Sequence, residues 1–218
     1  MKKVRVLITV LVVVLLILIS IIIEITRPVL PPVRVGEKRT RGGCGEKIYN
    51  LEIAMEEAEI IAHIKIGDWL GEDKSNTYYE ASLVENFSGE ITEDFILMQT
   101  GSSSVTRVRY PLFTYGNELL VFLKKYDWPS EYENLYYILV SPFYIVTDDT
   151  GNMYYYDRFN LLKETVDSGI IHNIPVDSFA RGLYDKLIEE DVLVEEEIIW
   201  GFEYFYKSED LESLINKQ

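Results

Sequence analysis

The sequence predicts a mostly β protein with α-helical additions, in which a transmembrane helix precedes the β-domain and further helices follow it. Three observations lead to this fold class: a long uncharged apolar run near the N-terminus, several segments in which apolar residues alternate with others, and helical spacing towards the C-terminus. The chain has 218 residues, of which 48% are hydrophobic. This composition is sufficient for a packed core in addition to a membrane segment.

The apolar run Val6–Ile23 predicts an uncleaved transmembrane anchor. A helix of this length reaches about 27 Å, which is near the thickness of the hydrocarbon layer. Lys2, Lys3 and Arg5 resemble the start of a signal peptide, but the apolar run is long for one and no small-x-small cleavage site follows it. We therefore expect a signal-anchor that holds the protein in the membrane.

The basic residues that flank this anchor give conflicting indications of its orientation in the membrane. Basic residues follow the run as well as precede it, and their number alone favours a cytoplasmic C-terminal flank (Arg27, Arg34, Lys38, Arg39 and Arg41). The charges that lead into a first helix usually dominate, which favours a cytoplasmic N-terminus. We expect a single-pass cell membrane protein whose C-terminal domain is extracytoplasmic.

The charge of the chain is unevenly distributed. Residues 1–41 hold eight Lys and Arg against two Glu, which leaves 13 basic and 34 acidic residues in 42–218. Binding to a phosphate backbone requires the opposite sign, so nucleic acid is not expected as a partner. Between the anchor and the acidic part, the Pro- and Gly-rich residues 27–45 are typical of a spacer.

The β-domain is predicted from alternating segments, of which Ala58–Gly67 is the clearest. Ile60, Ala62, Ile64 and Ile66 alternate with Ile61, His63, Lys65 and Gly67. This period of two places one face on a core and leaves the other face partly exposed to water. Three similar segments, separated by Gly, Ser, Asn and Pro, lie at 78–87, 95–101 and 111–123, and further β-rich segments follow at 135–140, 143–147 and 153–156. Together they predict an antiparallel β-unit.

The turn Asp148–Asn152 lies between two β-rich segments and predicts a hairpin. Its Asp149-Thr150-Gly151 also spells the triplet of aspartic proteases, whose chemistry needs two such carboxylates. The chain has no second copy, so a dimer would have to supply it. The hairpin tip is the favoured interpretation, and a dimeric aspartyl peptidase is the third functional hypothesis.

Helical spacing appears before and after the strands. Leu51, Met55 and Ala58 predict a short helix over 49–57, with Asn50 as its N-cap. Asp177 is expected to cap a second helix, and helical spacing from Glu195 includes Ile198, Ile199, Phe202, Phe205 and Tyr206. Ser208 is expected to cap a last acidic helix.

Candidate metal and catalytic residues are few. His63 and His172 are far apart, and neither has a second ligand at helical or turn spacing, so no metal or cofactor is expected. His63 is expected to be a half-exposed residue of a sheet. There is no Gly-x-Ser-x-Gly elbow and no phosphate-binding Gly-rich loop followed by Lys. We therefore expect no catalysis.

Tyrosine is abundant, with 16 residues in the chain. Three clusters lie on predicted strands: Tyr78 and Tyr79; Tyr136 and Tyr137; and Tyr154, Tyr155 and Tyr156. Neighbouring tyrosines of a strand point to opposite faces, so the outward ones could form a platform for a sugar, a peptide or a partner protein. The alternative, which the composition favours, is that tyrosine simply suits half-buried strands.

Five segments carry a resemblance to a known group: EAEIIAHIKIG, YYEASLVENFSGE, FILMQTG, PLFTYGNELLVFL and FYIVTDDTGNMYYY. They resemble bacterial exported proteins of unknown role, thought to carry an OB-like barrel similar to the netrin-like fold of tissue inhibitors of metalloproteinases. The resemblance covers roughly residues 44–160 and implies a barrel of five or six strands with a helix near one end. The expected parts are 1–26 (cytoplasmic basic stub and anchor), 27–45 (linker), 46–160 (OB-like antiparallel β-barrel) and 161–218 (helical extension).

Cys44 is the only cysteine, so no disulfide within the chain is possible. In the inhibitors an N-terminal cysteine about fourteen residues before the first strand chelates the zinc of the protease, and Cys44 stands at the matching distance from Ala58. The resemblance therefore implies a second hypothesis, a membrane-tethered metallopeptidase inhibitor, which would require cleavage after Gly43. The leading hypothesis is an extracytoplasmic binding module that interacts with a protein, peptide or glycan at the cell surface.

Overall fold

The computed structural model describes residues 12, 51–102, 112–158, 161–174, 178–190, 192–193 and 204–216. The elements are α1 (Leu51–Glu57), β1 (Ile60–Glu72), β2 (Asn76–Ser88), β3 (Asp94–Thr100), β4 (Glu118–Lys125), β5 (Leu135–Ile138), β6 (Phe143–Thr147), β7 (Met153–Tyr156), α2 (Lys163–Asp167), α3 (Ser178–Glu189), β8 (Phe205–Lys207) and α4 (Ser208–Ile215). The protein is therefore mostly β with a few helices, as predicted.

The predicted anchor Val6–Ile23 lies outside the described residues, apart from Val12, which is helical. Within the part of the chain that the structure describes, no helix is long and apolar enough to cross a membrane. The predicted linker over residues 27–45, which includes the candidate inhibitor residue Cys44, also lies outside the described ranges.

Five strands close into a barrel in the order β1-β2-β3-β5-β4, and β4 returns to β1. Four of the five pairings are antiparallel, whereas β3 and β5 pair in parallel at Leu97↔Tyr136. The prediction of a wholly antiparallel unit is wrong at this pair for a geometric reason. Strand directions cannot alternate all the way around a closed ring with an odd number of members, so one pair of neighbours must run in the same direction.

The sheet continues beyond the barrel because β4 also pairs with β6 at Leu119↔Tyr144. The predicted hairpin between β6 and β7 is confirmed, and its turn is closed by Asp148 and Asn152. Helical spacing was expected to continue through Phe205 and Tyr206, but these residues form β8 and pair with Tyr156 and Tyr155. Both side chains are almost fully buried there, one on each face of the sheet.

Two hydrophobic cores lie on opposite faces of β1 and β4. Inward residues of the barrel, among them Ile64 and Leu119, form the first core. The second core covers the outer face of the same strands, where Ile61, Leu120 and Phe122 pack with residues of α1 and α4. On the face of β1 that was expected to be partly exposed, Ile61 and His63 are buried, whereas Lys65 is exposed. Residues of α1 and α4 cover this face at Ile61.

The helices agree with the sequence in place but differ in detail. The helix predicted over 49–57 is α1, and the helix predicted after Asp177 is α3, although Asn50 and Asp177 lie outside the described residues. The last helix is α4, but Ser208 is its first helical residue, whereas extended Lys207 is the N-cap and makes no side-chain capping bond. The five-residue helix α2 was not predicted.

Candidate functional site

The seven candidate tyrosines do not form one outward platform. Tyr79, Tyr136, Tyr154, Tyr155 and Tyr156 are each no more than 7% exposed. Neighbouring tyrosines of β7 do point to opposite faces, but each face packs against one of the two cores. The outward face that a single strand would leave open is covered by residues far away in the sequence.

Two of the candidate tyrosines, Tyr78 and Tyr137, are half-buried and share one row of the barrel surface. Tyr78 on β2 is opposite Met98 on β3, and Met98 is opposite Tyr137 on β5. The three side chains are therefore neighbours on the face formed by β2, β3 and β5. Tyr78 and Tyr137 are therefore the candidate tyrosines that are still partly accessible in the folded protein.

Beside this row lies an open groove of about 500 Å³. It is lined by Gly67 and Leu70 of β1, residues 80–82 of β2, 94–96 of β3, and 132–134 of the loop between β4 and β5. Glu80 is opposite Ile96 and Ser82 is opposite Asp94, so these side chains lie next to one another on the outer face. Ile96 alternates with the buried Phe95 and Leu97, which places it on the groove side of β3.

The loop at residues 126–134 forms one wall of the groove and is fixed to the barrel at two points. The backbone N–H of Ile96 donates to the carbonyl oxygen of Asn134 over 3.1 Å. The ring of Tyr132 lies 5.0 Å from the ring of Tyr78, centroid to centroid. These contacts hold Tyr132 over β2. Trp128 in the same loop is 75% exposed.

In the turn between β1 and β2, Asp73 binds the hydroxyl of Tyr78 and so fixes one end of the row of side chains. Its carboxylate accepts hydrogen bonds from the backbone N–H of Ser75 and Asn76 (2.6 and 2.8 Å) and from the Tyr78 hydroxyl (2.7 Å). Burial opposes the ionisation of Asp73, but these donors outweigh it and lower its pKa to about 2. Burial and the bond to Asp73 raise the pKa of Tyr78 to about 12.

Gly67 brings β1 and β2 close together at the base of the groove. The register of the two strands shifts between Ile66 and Trp69, as expected at a bulge. A Cβ at Gly67 would lie 3.1 Å from the Cβ of Glu80 and 3.2 Å from its carbonyl oxygen. Glycine therefore allows Glu80 to approach β1, and this approach places its carboxylate at the groove.

The groove combines apolar and acidic side chains. Leu70, Ile96 and Tyr132 contribute apolar surface, while Glu80, Asp94 and Glu133 contribute three carboxylates. The described lining residues include no Lys, Arg or His. The local charge has the sign of the whole acidic part of the chain, which strengthens its attraction for cations.

A second, smaller cavity of about 320 Å³ lies between β4, β6 and α3. Glu118 lies at this cavity and accepts a hydrogen bond from His63 Nε2 over 3.0 Å, with Lys65 Nζ 3.5 Å away. His63 is 3% exposed, so the expectation of a half-exposed histidine is wrong. Burial, Glu118 and Glu189 raise the pKa of Glu190 against the effect of Lys186.

Contacts around this second cavity attach α3 and the residue that follows it to β6 and to the segment before β4. The hydroxyl of Thr114 donates to the carbonyl oxygen of Glu190 over 3.2 Å, and Lys186 Nζ donates to the carbonyl oxygen of Thr147 over 2.6 Å. The cationic groups present, including Lys186, already face carboxylate or carbonyl oxygens. The arrangement is therefore that of a packing contact between α3 and the sheet.

The triplet beginning at Asp149 lies at the tip of the β6–β7 hairpin. The side chain of Asp149 is 96% exposed and pairs with Lys186 over 3.0 Å. The preceding residue, Asp148, organises the turn: its carboxylate accepts bonds from the Thr150 hydroxyl, the Thr150 and Asn152 backbone N–H groups and the Asn152 side chain. The Thr150 hydroxyl is the main cause of its lowered pKa.

Among the residues that the structure describes, the remaining candidates form no metal centre. His172 is exposed, and no group of three His, Cys, Asp or Glu suited to holding a metal occurs among the residues that the structure describes. Comparison of the chain with protein-family models, with curated proteins and with solved structures found no match. The groove on β1, β2 and β3 is therefore identified as a candidate site from its own geometry. Sequence reasoning missed it, although Gly67 inside an alternating segment is a signal of a bulge.

Proposed function

We propose that the protein is a membrane-anchored, extracytoplasmic binding module without catalytic activity, and that the groove beside Tyr132 is its binding surface. The observation that carries this proposal is the combination of apolar and acidic side chains on a fixed framework. Binding sites of proteins are typically concave, largely apolar and equipped with a few oriented polar groups. The exposed Trp128 adds a residue type that is enriched in interfaces.

The topology supports the proposal that the barrel is OB-like. Five strands close in the order β1-β2-β3-β5-β4. OB-folds are five-stranded barrels that bind extended ligands on the face of their second and third strands, next to the loops that follow strands one and four. The groove occupies the corresponding place here, because it lies on β2 and β3 and is walled by the β4–β5 loop.

The membrane location rests on the sequence. Val6–Ile23 is long and apolar enough for a spanning helix, and the Pro- and Gly-rich residues 27–45 would allow the acidic domain to reach away from the lipid surface. A module tethered in this way meets partners at the cell surface at a high effective concentration.

The proposal is tested by ligand selection with the full-length protein in lipid nanodiscs, using a displayed random peptide library and a glycan array. We expect ligands whose affinity falls about tenfold or more in Ile96→Ala and in Tyr132→Ala, because both changes remove apolar surface from the groove. Val84→Ala is the matched control, since Val84 is an exposed residue of β2 outside the groove. Thermal unfolding establishes that each variant is folded.

The proposal is overturned if neither library yields a ligand, or if every selected ligand binds both groove variants as tightly as it binds the wild type. The alternative, a tethered metallopeptidase inhibitor, depends on Cys44. It predicts that a chain processed to begin at Cys44 inhibits a metallopeptidase and that Cys44→Ser abolishes the inhibition. We expect instead that Cys44→Ser leaves ligand binding unchanged.

A further inference from the structure

We propose that the groove binds the cationic side chain of a Lys or Arg in an extended segment of a partner polypeptide. This inference rests on the proposed function and specifies the chemistry of its ligand. The structure offers three independent reasons: the sign of the charge in the groove, the apolar surface between the carboxylates, and the aromatic wall next to them.

The charges are placed to attract a cation. Glu80 and Asp94 lie on the same outer face of neighbouring strands, two residues apart in register, because Glu80 is opposite Ile96 and Asp94 is opposite Ser82. Glu133 faces them from the loop wall. All three are exposed, so their carboxylates are accessible to a ligand. An anionic ligand would be repelled by all three carboxylates.

The apolar surface suits the aliphatic part of a long basic side chain. Lys and Arg bury their methylene groups along apolar surface while the charged group remains near polar partners. Ile96 and Leu70 provide this surface, and the ring of Tyr132 can accept the cation over its face. A neutral sugar could stack on Tyr132 but would leave the carboxylates without a partner, and an apolar side chain would bury them at a cost.

The surroundings favour a polypeptide over a small free cation. The groove is open, and the row formed by Tyr78, Met98 and Tyr137 lies two residues further along β2 and β3. Trp128 protrudes from the same loop that carries Tyr132. Tyr, Trp and Met are enriched where proteins contact each other, so residues next to the basic side chain would find their own contacts on this surface.

The experiment uses the full-length protein in nanodiscs of neutral lipid and labelled peptides taken from the random library. We expect the selected peptides to be enriched in Lys and Arg. Replacing the key Lys by norleucine, or the key Arg by citrulline, removes the charge and keeps the shape, and should weaken binding about tenfold or more. Affinity should also fall as the NaCl concentration rises from about 0.05 to 0.5 M, because exposed charges are screened.

The protein side of the test uses changes that remove charge without removing volume. Glu80→Gln combined with Glu133→Gln should weaken binding of the Lys peptide about tenfold and should have little effect on its norleucine analogue. Asp94→Asn is the second variant, in case the double change is poorly folded. Glu52→Gln combined with Glu56→Gln changes the net charge equally on α1, which packs in the second core, and should leave binding unchanged.

The outcomes separate this inference from the proposed function. If peptides or glycans bind in an Ile96-dependent way but norleucine and citrulline analogues bind equally well, the groove is a binding site and the inference of a cationic ligand is wrong. If the Lys peptide binds but none of the groove variants weakens it, both the inference and the location of the site are wrong. If the α1 control weakens binding as much as Glu80→Gln with Glu133→Gln does, the attraction comes from net charge and the inference is wrong.

Discussion

At the scale of single residues, two carboxylates each hold a tight turn together. Asp73 accepts bonds from two backbone N–H groups and a tyrosine hydroxyl in the β1–β2 turn, and Asp148 plays the same part in the β6–β7 turn. Both have a lowered pKa, since their partners stabilise the ionised form. In the second turn the structural carboxylate is thus Asp148, next to the exposed Asp149 that the sequence motif had singled out.

The pH dependence of stability should report the bonds of Asp73. Its pKa in the folded protein is about 2, below the ordinary value of 3.8, so its contribution is complete above about pH 4 and is lost as the pH falls towards 2. Asp73→Asn should therefore lower the urea midpoint at pH 7, and the difference from the wild type should shrink as the pH falls from 4 to 2. The measurement is urea unfolding followed by tryptophan fluorescence.

Asp167→Asn is the matched control for this prediction. Asp167 is an exposed residue at the end of α2, and replacing it removes one charge without disturbing the β1–β2 turn. A difference between Asp73→Asn and the wild type that stays constant from pH 7 to pH 2 would show that the carboxylate form of Asp73 does not stabilise the turn.

At the scale of elements, the end of β2 lies next to the start of β1 through a close backbone approach at Gly89. This residue follows β2 directly and has a φ of 84°. A Cβ at this position would overlap the carbonyl oxygen of Glu59, the residue before β1. Gly89 therefore fixes the place where the chain leaves β2 against the start of β1, and β1 belongs to both cores.

Two glycine substitutions separate this close approach from conformational strain alone. Gly151→Ala at the β6–β7 turn, where φ is 90° and nothing lies within 4 Å of an added Cβ, should lower the free energy of unfolding by about 1 kcal/mol. Gly89→Ala has a similar φ and also the overlap with Glu59, so the loss should be about 3 kcal/mol or more. Equal losses in urea unfolding would contradict the role assigned to the close approach.

At the scale of the whole molecule, an acidic domain is combined with a basic, apolar N-terminal segment. The 34 acidic and 13 basic residues of 42–218 give the domain a strongly negative field, which concentrates cationic partners and repels anionic ones. The groove with Glu80, Asp94 and Glu133 has the same negative sign as this field. The membrane anchor predicted at Val6–Ile23 would hold this field next to the cell surface.

The anchor leads to a prediction for the full-length protein in cells. The mature protein should retain the N-terminal segment and should stay in the membrane fraction after washing with high salt or alkaline carbonate, because a spanning helix is held by the hydrophobic effect. Protease added to intact cells should digest the domain. A mature N-terminus between Ser20 and Cys44 would contradict the uncleaved anchor, and protection of the domain from protease would contradict the orientation.

The sequence by itself determined the local features of the domain. The approximate strand positions, the inward face of β1, the β6–β7 hairpin and the places of α1, α3 and α4 followed from alternation, helical spacing and turn residues. These features can be predicted from the sequence because each depends on residues that are close together in the chain. Over such short distances, the period of the backbone fixes which side chains share a face.

Only the tertiary structure decided what covers each face. Ile61 and Tyr155 are buried because α1 and α4 pack over the outer face of the sheet, and α4 lies far from β1 in the sequence. The parallel pair β3–β5 follows from closing a ring of five strands, and the groove arises where the β4–β5 loop lies against β2 and β3. Burial and concavity depend on neighbours that are distant in sequence, so no local pattern of residues contains them.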